Sequence, residues 1–172
     1  MENGIFIIPL NGLTASGLDF TWNAGKAFFE TFGNSEIMDA GFLVDCSVAK
    51  IAGKVMVDCC VSGSVTVQCD RCLEDLKMPV SIDIPLLVKF GDVEETADEE
   101  REVIAVEATD TELDLGQIIY DYVCLSLPIQ RIHPDGGCNP EVVKYMAGGA
   151  DVADSADDVD ACSPFASLKG LF

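Results

Sequence analysis

From Phe42 to Phe90 the chain reads as β-structure with few interruptions, and no other stretch limits the fold as strongly. FLVDCSVAK, KVMVDCCV and SVTVQC are separated only by Ile51-Ala52-Gly53 and Ser62-Gly63. Apolar residues at a period of two put one face of a strand on a core and leave the other in water. Val65 and Val67 point one way here, Thr66 and Gln68 the other. With Gly53 and Gly63 read as turns, the stretch becomes an antiparallel meander. MPVSIDIPLLVKF continues it, with Val80, Ile82, Ile84 and Leu86 in alternation. Pro85 cannot donate to a ladder, so it marks an edge or a bulge.

The flanks add short strands and helices. FIIPL and LDFTW read as strands before the meander, and EVIAVEA as one after it. NAGKAFFETFG predicts a short helix with Asn23 as N-cap and Gly33 as its stop. DLGQIIYDYVCLSLP predicts the longest helix, capped by Asp114, with Gln117 completing a capping box and Pro128 ending it. Its Leu115, Ile118, Ile119, Tyr122 and Leu125 or Ser126 follow helical spacing. NPEVVKYMA predicts a last helix, with Asn139 as cap and Pro140 in first position. The expected fold is α+β: a mainly antiparallel β core, meander or barrel-like, with a few packed helices.

Charge divides the chain. The formal charge of −20 comes from 30 acidic and 10 basic residues among 172. Residues 91–114 carry eleven of the acids and residues 148–163 five, with Arg101 the sole base in either segment. The remainder has 14 acids and 9 bases, a net of −5. We therefore read 1–147 as a single α+β domain, 148–163 as an acidic flexible linker and 164–172, PFASLKGLF, as a short C-terminal segment. In that last segment Phe165, Leu168 and Phe172 share a helical face. The linker is followed by either a docking segment or a helix folded back on the core. Gripping nucleic acid through phosphates needs a basic face, which this composition does not supply. The acidic segments suit solubility, or attraction of a basic partner.

No apolar run reaches the ~20 residues of a membrane span. The N-terminus lacks a basic region before its apolar residues, and we read the protein as cytoplasmic. The eight cysteines are then expected to be reduced thiols, some packed as small apolar groups and some on metal. Cys59 and Cys60 should face opposite sides of their strand.

Four residues stand apart. Cys69 and Cys72 form C-x-x-C, and His133 and Cys138 form H-x-x-x-x-C, each in turn-rich sequence. Two short pairs joined by a long insertion follow the logic of a structural zinc site, and three thiolates with one imidazole suit Zn²⁺. The same residues also read as packed thiols and a hydrogen-bonded turn histidine. A redox use of Cys69 and Cys72 is a third reading, although the strand-then-helix setting of thioredoxin-like motifs is missing. No phosphate-binding loop, nucleophile elbow or acid/base pair stands out.

Three blocks carry a family resemblance: GSVTVQCDRCLEDLKMPV, LDLGQIIYDYVCLSLPIQRIHPDGGC and SPFASLKGLF. In this order they resemble the YceD-like bacterial proteins, named for accumulation of the large ribosomal RNA subunit. The likeness spans about residues 40–172. The tail departs from the family's basic ending, since only Lys169 remains. The resemblance implies a non-catalytic role in accumulation or processing of large-subunit ribosomal RNA and in ribosome assembly. With this charge, RNA contact would be indirect or weak. The partner would be a basic ribosomal protein of the large subunit, with no membrane and no small-molecule substrate involved. Zinc, held by Cys69, Cys72, His133 and Cys138, would be structural, since four protein ligands leave no open position. The competing reading is a thiol oxidoreductase using the Cys69–Cys72 pair.

Overall fold

The computed structural model describes residues 6–14, 16–91 and 101–148. In chain order it contains β1 (Ile7–Pro9), β2 (Leu18–Gly25), α1 (Lys26–Thr31), β3 (Ile37–Ile51), β4 (Lys54–Gln68), β5 (Asp75–Phe90), β6 (Glu102–Val106), β7 (Glu112–Asp114), α2 (Gly116–Ser126) and α3 (Pro140–Gly148). The fold is α+β. Strands β2-β3-β4-β5-β6 form one sheet, and β1 pairs with β7 in a separate ribbon. The first four strands of the sheet are an antiparallel meander, whereas β6 joins β5 in parallel.

Period-two alternation is carried over long strands. Val44, Cys46 and Val48 on β3, Val55, Val57, Cys59, Val61, Val65 and Val67 on β4, and Val80, Ile84 and Leu86 on β5 are buried on one face. Phe29 of α1 and Ile119 and Val123 of α2 join that core, as do Ile8 and Leu113 from the ribbon. On α2 the buried stripe is Leu115, Ile119 and Val123, while Leu125 lies outside it, 83% exposed. Tyr122, on the flank, donates to Glu102 of β6 at 2.7 Å and ties the helix to the sheet edge. That carboxylate pushes the phenol up to about 12, helped by burial. A folded-state value above the unfolded one gives stability that is complete below pH ~10 and lost as pH rises through ~12. Tyr122→Phe should flatten alkaline denaturation in that window, as followed by urea midpoints against pH.

Three turn and cap expectations change. Gly53, with Ala52, does make the β3–β4 hairpin turn, both at positive φ (81° and 51°). Gly63 makes no turn: β4 runs unbroken through it, opposite Phe42 and Val80. A Cβ there would run into the carbonyl of Gly41 and lie 2.7 Å from Phe42 Cα, so the glycine permits a close backbone approach. Helix α1 starts later than its sequence suggests, because Asn23 and Ala24 still pair with β3. Its stop at Gly33 holds, with φ of 71°. On α2, Asp114 accepts the Gly116 N–H at 2.8 Å, but Gln117 turns outward to Asp121, so no capping box closes. Pro85 is explained by geometry: β5 has β6 beside it only from Leu86 onward, so Pro85 lies where the strand is still an edge.

The expectation of reduced thiols fails for one pair. Cys46 and Cys59 are direct cross-strand partners on the buried face and form a disulfide, with Cα atoms 4.1 Å apart. Alternation put Cys59 and Cys60 on opposite faces; the strand register, which alternation does not specify, set Cys59 opposite Cys46. Cys60, next along the strand, is exposed on the other face as expected. The acidic stretch 92–100, the linker and the C-terminal segment lie outside the described residues.

Candidate metal and thiol centre

The β4–β5 connection is a tight knuckle. The Cys69 N–H donates to Glu74 O and the Leu73 N–H to Cys69 O, both at 2.9 Å. Leu73 takes a left-handed φ of 61°, a strained setting for a leucine. These bonds curl the chain so that Cys69 and Cys72 turn toward the same point. Cys69 is fully buried and Cys72 nearly so.

A second segment, between α2 and α3, docks onto the knuckle. The Asp70 N–H donates to Arg131 O at 2.8 Å, and the Arg131 N–H to Asp70 Oδ2 at 2.7 Å. Asn139 Nδ2 donates to Glu74 Oε1 at 2.7 Å. Asn139 Oδ1 also accepts the Glu141 N–H at 3.0 Å, capping α3 as the sequence suggests. Gly137 N–H bonds Pro134 O at 2.8 Å and closes the turn that brings Cys138 back toward His133.

All four candidate residues converge. Three sulfurs and one imidazole nitrogen lie within 4.8 Å of one another. Cys69 Sγ is 3.9 Å from Cys138 Sγ, and His133 Nδ1 is 3.4 Å from Cys72 Sγ and 3.8 Å from Cys138 Sγ. Ligands around zinc at ~2.3 Å (S) and ~2.0 Å (N) in a tetrahedron are separated by roughly 3.5–3.8 Å. The donor set and its spacing therefore fit a zinc ion. The outer shell fits too. His133 Nε2 bonds the Asp75 carbonyl at 3.2 Å. That contact puts the proton on Nε2 and turns the Nδ1 lone pair toward the sulfurs, the usual outer-shell device of metal-binding histidines.

The electrostatics favour a thiolate. Burial pushes the Cys69 thiol up, but N–H groups of Cys72, Arg71 and His133 on its sulfur outweigh burial and bring it down to about 6. The same sulfur holds the His133 imidazole above its ordinary range. Cys138 is pushed up, first by burial and then by the neighbouring sulfurs. Once one thiol of such a cluster ionises, the others keep their protons more tightly unless a cation joins them.

This cluster corrects one expectation. A firmly non-catalytic protein does not agree with a buried group of three thiols and an imidazole, one thiol poised to ionise near neutral pH. Such a group is a potential catalytic or redox centre. The pattern C-x-x-C and H-x-x-x-x-C sufficed to find all four side chains. It gave no sign of the Asp75 carbonyl, of Asp70 or of Glu74, which hold the two segments in register.

The geometry defines a class: a β-meander protein whose β4–β5 connection and the segment before α3 meet in a Cys₃His cluster. The chain belongs to the YceD family, described as large ribosomal RNA subunit accumulation protein YceD, whose pattern it matches over residues 57–172. That match takes in both halves of the centre. No curated protein and no solved structure was found to be similar to the chain. No helix among the described residues is long and apolar enough to cross a membrane.

Proposed function

We propose that the Cys69–Cys72–His133–Cys138 centre is the working part of this protein and that it serves accumulation of the large ribosomal RNA subunit through thiolate chemistry. The convergence of the four donors within 4.8 Å carries this reading. In the metal-free centre, once local opening of the knuckle uncovers the buried Cys69, its thiolate attacks one sulfur of a partner disulfide, and the partner's second sulfur leaves as a thiolate. Cys72 then attacks Cys69 in the mixed disulfide. The Cys69–Cys72 bond forms, and both partner sulfurs end as thiols. His133 stands beside the reacting sulfurs, with Nδ1 3.4 Å from Cys72 Sγ and 3.8 Å from Cys138 Sγ. A zinc ion, where bound, would be held by the same four side chains and would add folding energy to this end of the molecule. The matching of donor spacing to a zinc tetrahedron supports that second use.

The family description supports the ribosomal setting. The sixteen acids concentrated in residues 91–114 and 148–163 support a basic partner protein, such as a ribosomal protein of the large subunit. Metal analysis with thiol titration tests the centre. Tagged protein captured at low and raised salt tests the partner. A capture of ribosomal proteins unaffected by deleting residues 91–101 and 150–160 would contradict the electrostatic route.

A further inference from the structure

Among the described residues, every large apolar side chain more than 60% exposed lies on the β4–β5 knuckle, at or after the end of α2, or on α3. These are Leu73 (66%) on the knuckle, Leu125 (83%) and Ile129 (100%) at and after the end of α2, and Tyr145 (85%) and Met146 (62%) on α3. On α3, Val142, Tyr145 and Met146 fall at i, i+3 and i+4 and form one stripe. Val142 packs on the core, while the next turn of the same stripe stands in water. Large apolar side chains this exposed, on the knuckle and on the two helices whose connection docks onto it, mark a place where something docks.

We propose that its occupant is the C-terminal segment of this same chain, residues 164–172. The linker that follows Gly148 cannot cover the surface itself. Its fifteen residues, 149–163, hold five aspartates and only Val152 and Val159 as larger apolar groups. The next nine residues hold Phe165, Leu168, Leu171 and Phe172 and one charge, Lys169. Fifteen residues span up to roughly 50 Å, and the linker starts on α3, which carries part of the surface, so reach sets no limit. A tether of this length gives an effective concentration on the order of millimolar, which favours the segment over a second copy at ordinary protein concentrations. Asp135 and Glu141, both exposed, before and in the first turn of α3, offer Lys169 a carboxylate. This inference rests on the geometry of the centre and not on what fills it.

The test uses the full chain. Methyl NMR spectra of the wild type are compared with those of a Phe165→Asp/Leu168→Asp variant. The methyls of Leu73, Ile129, Ile132 and Met146 should shift, those of the distant Leu18 and Leu43 should not, and the wild-type positions should be unchanged on about tenfold dilution. In the reciprocal variant Ile129→Asp, amide exchange of residues 165–172 should quicken by about tenfold or more, since the docked segment opens locally. Unmoved methyls, or tail amides that already exchange at open-chain rates in the wild type, would overturn the proposal and leave the segment free for another protein. Shifts that vanish on dilution would also overturn it, in favour of a second copy.

Discussion

Cys69→Ser should remove zinc from the protein and loosen the end of the molecule around α3, while leaving the β-meander folded. The centre joins two segments that otherwise meet through a few hydrogen bonds, those of Asp70 with Arg131, His133 with Asp75 and Asn139 with Glu74. Zinc at about a thousand times its dissociation constant adds about 4 kcal/mol. For a chain of this size that corresponds to roughly 8–16 °C in thermal midpoint. The variant should lose about that much, and a chelator that lowers the wild-type midpoint should leave the variant's unchanged. Cys60→Ser, at an exposed thiol outside the centre, should match the wild type. Equal midpoints for wild type and Cys69→Ser, with and without chelator, would remove the metal reading.

Gly63→Ala should cost about 1–3 kcal/mol, a large effect for one added methyl in a strand. An ordinary glycine-to-alanine change inside a strand is neutral or stabilising, since it reduces the freedom of the unfolded chain. Here the new Cβ would lie 2.7 Å from Phe42 Cα and 2.9 Å from Phe42 Cδ1, and backbone cannot swing aside as a flexible side chain can. β3 and β4 would have to separate in the middle of the meander. Urea unfolding measures this, and Gly41→Ala provides the control: it too is a strand glycine, and a Cβ there meets nothing within 4 Å. Equal midpoints for the two variants would contradict the close-approach account.

The two glycines show what the sequence could and could not convey. Gly53 and Gly63 look alike in sequence, each a glycine between apolar runs. Gly53 follows Ala52 at a chain reversal. Gly63 is there because of what crosses it, and a crossing partner is a tertiary fact. The same reason explains the disulfide. Alternation separated Cys59 from Cys60, but only the register of β3 on β4 set Cys59 opposite Cys46. The parallel joining of β6 to β5 was also hidden, because a strand's own pattern does not say in which direction its neighbour runs. The centre was more legible than these. Its four side chains are the residue types whose chemistry restricts them most, and their short pairings survive in sequence. Its scaffold was not legible, since carbonyls and side-chain amides carry no distinguishing pattern.

Whether these four side chains form one thiolate centre is read most directly from the zinc content and thiol reactivity of protein purified without chelator or reductant. Close to one equivalent of zinc is expected, with Cys69, Cys72 and Cys138 shielded from a thiol reagent until the metal is stripped. Once stripped, Cys69 and Cys72 should form a disulfide that a dithiol reduces reversibly. Protein that holds no metal, and whose Cys69 and Cys72 neither resist the reagent nor form that bond, would contradict such a centre.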